Sequence, residues 1–263
     1  MHQPRKRFGQ HFLHDHQVIE KIIKAIDPKP EERLVEIGPG LGAITLPLLK
    51  KMGKLMAVEL DRDVIPHLTK SAAELGELTI FQADALRFDY KEIAGTGDKL
   101  RLIGNLPYNI STPLLFHFLE QKECVKDMHF MLQKEVVDRM AAGPGSKTFG
   151  RLSVMLQASA KVEHLFDIGR EAFTPPPRVE SSFVRLVPYE TPPFQINDQK
   201  AFAQLVVSAF SQRRKTLRNS LKKLLDADQI ASTGVDPTAR AETLEPEQFA
   251  KLANLLIPDR KAD

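Results

Sequence analysis

Across residues 32–186, short apolar runs alternate with amphipathic stretches. That alternation admits few architectures: strands buried on both faces, returning in parallel through crossover helices. Residues 33–37 read as a strand that stops at Gly38, residues 43–51 as the helix after it, and residues 55–59 as a second strand. A helix opens near Asp61 with an acidic first turn. Residues 78–81, 100–104 and 128–132 supply three more strands, and Ser111-Thr112-Pro113 reads as the cap and first turn of a helix over 114–120. Two late runs, 164–168 and 182–187, are expected to close one sheet edge as a hairpin. Between them Phe173-Thr174-Pro175-Pro176-Pro177 must be a stiff loop poor in backbone donors.

At 263 residues the chain exceeds the usual size of one domain. Prolines between residues 188 and 193 break the pattern, and residues 202–225 and 246–256 then read as helical. The expected division is 1–188, an α/β domain with a basic arm at 1–13, and 189–263, a small all-helical domain. Hydrophobic residues make up 42% and charged residues 27%, which fits a core of this size. No stretch approaches the ~20 apolar residues of a membrane span. The basic N-terminus lacks the apolar segment of a secretory signal. Cys124 is the only cysteine, which excludes an internal disulfide framework and a thiolate metal cage. The expectation is a cytoplasmic protein without a membrane role. Net charge is only +3, but Arg5, Lys6 and Arg7 crowd one end, and Arg213, Arg214, Lys215, Arg218, Lys222 and Lys223 crowd a later segment. If that segment is one helix, Arg214, Arg218 and Lys222 share a face and suit phosphate contacts that position a nucleic acid.

Glu36-Ile37-Gly38-Pro39-Gly40-Leu41-Gly42 follows a strand and precedes a helix, where glycines allow a tight turn and close approach of a nucleotide-like ligand. Gly38, Gly40 and Ala43 satisfy even the dinucleotide pattern, so this motif alone does not separate a dinucleotide from S-adenosylmethionine. The series does. Glu59 ends the next strand, where a carboxylate accepts from both ribose hydroxyls. Asp84 closes the third strand, placed for an adenine amino group, and Asn105 follows the fourth. A pyrophosphate has no use for the last two.

Asn105-Leu106-Pro107-Tyr108 offers a primary amide, a backbone carbonyl, a rigid proline and an aromatic face. An adenine N6 amine is a poor nucleophile because its lone pair is delocalised into the ring. Acceptors at the Asn105 side chain and the Leu106 carbonyl favour a pyramidal nitrogen whose lone pair points at a methyl donor. Positioning supplies most of the acceleration. Tyr108 can stack on the base and tolerates a cationic sulfonium. Phe173 is the candidate second wall of an aromatic sandwich for a flipped base.

These segments stand in order with Arg7-Phe8-Gly9-Gln10-His11-Phe12-Leu13, Gly104-Asn105-Leu106-Pro107-Tyr108-Asn109-Ile110-Ser111, Leu132-Gln133-Lys134-Glu135-Val136, Phe173-Thr174-Pro175-Pro176-Pro177-Arg178-Val179 and Gln212-Arg213-Arg214-Lys215-Thr216-Leu217-Arg218-Asn219. Together they resemble the bacterial small-subunit (16S) ribosomal RNA adenine N6,N6-dimethyltransferases, the kasugamycin-resistance methyltransferase family, from about Arg5 to Leu256. The resemblance implies a Rossmann-like class I S-adenosylmethionine-dependent methyltransferase with a small C-terminal all-helical domain. It implies dimethylation of two adjacent adenosines in the 3′-terminal hairpin loop of 16S ribosomal RNA, using four S-adenosylmethionine, on a precursor small (30S) subunit, and a role as a late assembly checkpoint. It also implies cofactor contacts from His11, Leu13 and Gly38 to the methionine part, Glu59 to the ribose and Asp84 to the adenine, with Asn105 beside the transferring methyl. The basic residues are expected to meet RNA. Many relatives have asparagine where this chain has His11. His14 and His16 lie close by, but with one acid, Asp15, and no nearby cysteine, a metal site is not expected. A monomer is the default. The alternative is a non-catalytic assembly or nucleic-acid-binding factor on the same fold.

Overall fold

The apolar runs become the strands of a mixed sheet. The computed structural model describes residues 11–212 and 214–257. In chain order the elements up to the first helical insertion are β1 (Phe12–Leu13), α1 (His16–Ile26), β2 (Arg33–Ile37), α2 (Thr45–Met52), β3 (Lys54–Glu59), α3 (Ile65–Ala72), β4 (Glu77–Gln82), α4 (Tyr90–Ala94), β5 (Leu100–Asn105), α5 (Ser111–Glu120), β6 (Val125–Gln133) and α6 (Lys134–Ala141). There follow α7 (Arg151–Gln157), β7 (Ala160–Ile168), β8 (Phe173–Thr174), β9 (Ser181–Pro188), α8 (Gln199–Ala209), α9 (Leu217–Ser220), α10 (Ala227–Ser232) and α11 (Pro246–Asn254). Ser111 enters α5 as its first residue rather than as its cap, which is Ile110.

Seven strands run in the order β4-β3-β2-β5-β6-β9-β7. The five from β4 to β6 are parallel, and β9 runs antiparallel to β6. The two late runs lie side by side at this end of the sheet, as β9 and the edge strand β7. Central β5 is buried from Leu100 through Gly104, the pattern of a strand covered on both faces. On one face, Ile22 and Ile26 of α1 and Leu48 and Leu49 of α2 pack with Leu34, Leu55, Ile103, Met131 and Phe183. On the other, Phe130 of β6 stacks on Phe118 of α5 at 5.3 Å, as strand alternation requires. A short antiparallel pair, β1 with β8, sets Phe12 opposite Thr174 and Leu13 opposite Phe173.

The chain divides into two compact units. One holds the chain through Val137 with Glu163–Pro188, and the other holds Asp138–Val162 with everything from Tyr189 onward. One cut falls at Pro188, where the prolines suggested it. Residues 138–162 depart from the expected division. Phe149, Val154 and Ala158 are apolar residues that join Phe202, Leu205, Val206, Phe249 and Leu252 in the core of the helical unit.

The long helix expected over 202–225 is also broken. α8 stops at Ala209 and the chain resumes helix only at Leu217, for four residues. The Leu217 and Arg218 N–H groups, which a continuous helix would spend on itself, donate instead to Ala239 O at 2.8 Å and Pro237 O at 3.0 Å. Thr216 adopts an extended conformation and bridges Arg240. Arg214, Arg218 and Lys222 therefore do not recur along one helical face.

Among the described residues, no helix is long and apolar enough to cross a membrane.

Candidate cofactor and base-binding site

Parallel strands deliver their carboxyl ends to one edge of the sheet, and there the expected residues gather. Following the sheet order, β4 leads to Asp84, β3 ends at Glu59, β2 runs into Gly38 and β5 ends at Asn105. Neighbouring strands lie ~4.8 Å apart, so the four ends form a row of about 14 Å. Open α/β sheets bind their ligands at this edge.

The turn after β2 is built by glycines. Gly38 (φ 65°) and Gly40 (φ 54°) take left-handed conformations that β-carbons disfavour. Gly38 N–H donates to Val58 O at 2.9 Å, and Gly42 N–H donates to Pro39 O at 3.0 Å to close the turn. A β-carbon added at Gly38 would meet nothing within 4 Å, so the turn leaves open space there, whereas at Gly40 it would touch Phe12.

Glu59, buried, ties the row together. Its Oε1 accepts from Asp61 N–H at 2.7 Å and its Oε2 from Gly40 N–H at 3.3 Å. Burial raises its pKa, and the N–H groups of Asp61, Gly40 and Leu60 oppose the rise. Ala83 N–H donates to Glu59 O at 3.0 Å, which joins the ends of β3 and β4. Asp84 follows, its Oδ1 accepting from Leu86 N–H at 3.0 Å while its side chain stays partly exposed.

Beneath the glycine turn, Glu36 is 2% exposed and its Oε2 has no hydrogen-bond partner, nor has the buried Thr45 hydroxyl. Burial pushes the Glu36 carboxyl up to about 7; nearby Thr45 opposes this and the Glu59 charge adds to it. Two buried carboxyls held above their ordinary range suit a ligand that brings hydroxyl donors and positive charge. S-Adenosylmethionine brings both, and the residues present fit it.

At the other end of the row, β5 passes through Gly104, where an added β-carbon would lie 2.5 Å from Ile37 O. Glycine alone permits this approach of β5 to β2, and so the placement of Asn105 beside the glycine turn. Asn105 Nδ2 donates to His11 O at 3.3 Å, which turns its side-chain oxygen the opposite way. Leu106 is buried and anchors the turn, its N–H donating to Met131 O at 3.2 Å. Tyr108 is partly exposed. Its hydroxyl lies 2.8 Å from Ser181 Oγ, and its ring stacks with His11 at 6.0 Å and 27°.

His11 donates from Nδ1 to Pro175 O at 2.7 Å, and His14 N–H donates to Ala172 O at 2.9 Å. The segment carrying Leu13, which is buried, is thus clipped to residues 172–175. Phe173 departs from expectation. It is 1% exposed and packs with Leu13, Ile103, Met131 and Phe183, so it serves the core and offers no open face to a base.

Ser181, Phe12 and Thr45 were missed in the sequence. A serine opening a late strand carries no local signal of a partner 73 residues away. The phenylalanine and threonine gain their places only through the closing of β1 and the turn of α2.

In the helical unit Arg214, Lys215, Arg218 and Lys222 are exposed on the loop after α8, on α9 and on the turn beyond it, above the buried Leu217, Leu221 and Leu225. Arg5, Lys6, Arg7 and Arg213 lie outside the described residues. No group of three or more His, Cys, Asp or Glu residues able to hold a metal occurs among the described ones.

A family model described as ribosomal RNA adenine dimethylase matches residues 1–257. The chain is 54% identical over 255 residues to ribosomal RNA small subunit methyltransferase A of Pseudomonas savastanoi pv. phaseolicola, covering 97% of this chain and 95% of that protein. It is 52% identical over 257 residues to the protein of the same name from Acinetobacter baylyi, covering 98% and 94%. Among solved structures it is similar to a dimethyladenosine transferase from Plasmodium falciparum, with 25% identity, a TM-score of 0.78, and 92% and 96% of the two chains covered. The 23S rRNA methyltransferase ErmE shares the fold, at 22% identity and a TM-score of 0.73 over 93% of this chain and 99% of that one. With its match running through both units and more than half its residues shared with curated relatives over nearly their full length, the chain belongs to the ribosomal RNA adenine dimethylase family.

Proposed function

We propose that this protein dimethylates N6 of two adjacent adenosines in the 3′-terminal hairpin loop of 16S ribosomal RNA, within a precursor 30S subunit in the cytoplasm. It uses four S-adenosylmethionine and acts as a monomer at a late assembly checkpoint. The observation that carries the reading is the row Asp84, Glu59, Gly38, Asn105 along one sheet edge, which offers facing residues in turn to the adenine, the ribose, the methionine part and the sulfonium methyl of an adenosyl amino acid.

In this reading Asp84 accepts from the cofactor's adenine amino group and Glu59 accepts from its ribose hydroxyls. Gly38 and Gly40 admit the methionine part beside His11 and Leu13. Bound S-adenosylmethionine supplies an electrophilic methyl on a sulfonium. Asn105 Oδ1, directed by the Nδ2 bond to His11 O, and the Leu106 carbonyl accept N–H bonds from the target N6. Those bonds favour a pyramidal nitrogen with its lone pair free for in-line attack. No strong base is required, because the methylated amine is acidic and loses its proton afterwards. Tyr108 supports the base. Arg5, Lys6, Arg7, Arg213, Arg214, Lys215, Arg218 and Lys222 hold phosphates, which position RNA without reading its sequence.

The test is methyl transfer from tritiated S-adenosylmethionine to small subunits from a strain lacking the modification, with nucleoside analysis. Dimethyladenosine is the expected product. Asn105→Ala is expected to slow transfer by about 100-fold, the scale of losing one preorganised polar contact to the reacting group. Unchanged transfer by Asn105→Ala would overturn the assignment. Tight particle binding without any transfer by the wild type would point to an assembly factor instead.

A further inference from the structure

Tyr108 is held at two points. The His11 ring covers part of its face, and its hydroxyl meets Ser181 Oγ at 2.8 Å, a normal length for an O–H···O bond. Ser181 has 0% exposure, so it reaches neither cofactor nor base directly. It opens β9 opposite Gln133, the last residue of β6. The backbone on either side of it is pinned. Lys134 N–H donates to Glu180 O at 3.0 Å, and Ser182 Oγ donates to Asp167 Oδ1 at 2.6 Å. Asp167 in turn pairs with Lys134 at 2.6 Å. Tyr108, by contrast, sits in the connection between β5 and α5 and is partly exposed.

An aromatic residue on a connection loses rotamer freedom when it must stand in one place, and an unordered platform charges that loss to every turnover. A hydroxyl fixed on a sheet removes it in advance by catching the ring at its far end. We propose that Ser181 is a positioning residue for methyl transfer, holding the Tyr108 ring by its hydroxyl in the orientation that receives the target adenine. This rests on the reading of Tyr108 as the base support. It explains why the position carries tyrosine, since phenylalanine would offer the same stacking face without the catch. Burial raises the Tyr108 phenol pKa and the Ser181 contact lowers it, as expected of a serine that donates to the phenol oxygen.

The experiment compares Ser181→Ala, Tyr108→Phe, the double variant and Tyr108→Ala, each as the full chain acting on modification-free small subunits. Ser181→Ala is expected to lower kcat by about tenfold, with S-adenosylmethionine affinity and melting temperature close to wild type. Tyr108→Phe should match it, and the double variant should be no worse than Tyr108→Phe, because both remove one hydrogen bond. In NMR spectra of tyrosine-labelled protein, the Tyr108 phenol should titrate at higher pH in Ser181→Ala, which a purely structural serine would not produce. Multiplying single effects, or a kcat loss that tracks lost cofactor affinity, would overturn the proposal. Should Ser181→Ala fail to fold, Tyr108→Phe at full rate overturns it alone. If Tyr108→Ala methylates at the wild-type rate, the reading of Tyr108 itself fails. If Tyr108→Ala is inactive while Ser181→Ala is unimpaired, only the role of Ser181 falls.

Discussion

Glu36 illustrates how much one side chain's surroundings decide. As a residue type it is an ordinary surface acid; here it lies under a glycine turn, with one oxygen unpartnered and its carboxyl pushed up to about 7 by burial. The sign follows from linkage. A folded-state pKa above the ordinary 4.5 adds stability that is full below 4.5 and is lost as pH rises through about 7. A cationic ligand favours the ionised form, so binding gains where the free protein loses. The expectation is that S-adenosylmethionine binds more tightly at pH 8 than at pH 6, by up to about tenfold if only the ionised form is competent. Calorimetry at the two pH values measures this. Glu36→Gln should flatten the difference.

Among the elements, β8 and the segment after α8 show where pattern reading stops. Phe173 ahead of three prolines looked like a wall for a base. The pairing of β8 with β1 turns it into the core between Leu13 and Phe183. Phe173→Ala is therefore expected to cost about 3–5 kcal/mol of stability, whereas Tyr108→Ala, on a partly exposed ring, should cost far less while losing more activity. Denaturant unfolding midpoints set beside methylation rates separate the two; a Phe173→Ala protein of wild-type stability would contradict the packing. The basic run around Arg214 was legible as charge but not as shape. Periodicity could not foresee that residues 237–239 would take the N–H groups of Leu217 and Arg218, so that the chain past Ala209 does not run on as one helix.

At the scale of the whole molecule, the sheet edge that carries the site is opposed by a buried charge cluster at the other end of the same strands. Arg101, near the start of β5, is 6% exposed and gives Nε to Asp127 Oδ1 at 2.8 Å, Nη1 to Glu32 Oε2 at 2.6 Å and Nη2 to Ile26 O at 2.8 Å. It thereby joins α1, the approach to β2, β5 and β6. Burial alone would raise the Glu32 carboxyl, but Lys126, the Lys29 N–H and Arg101 outweigh it and hold the group to about 2. Arg101→Met leaves Asp127 and Glu32 without that guanidinium and is expected to destabilise the protein by about 3–5 kcal/mol. Chemical denaturation at neutral pH checks this. The catalytic edge, on separate residues, should keep its cofactor affinity while the protein remains folded.

The sequence by itself determined the parallel sheet, the order of its strands along the chain, the glycine turn, the acid that ends β3 and the acid just after β4. Each of these is written in neighbouring residues, through apolar period, glycine conformation and spacing. The turn carrying Asn105 and Tyr108 was legible for the same reason. Tertiary structure alone decided that residues 138–162 join the helical core, that Phe173 is buried, that one Glu36 oxygen is buried without a partner and that the Tyr108 hydroxyl meets Ser181. Those outcomes depend on which distant surfaces close on one another and exclude water. Burial and hydrogen-bond partnership are properties of contacts between remote segments, and no local pattern encodes them.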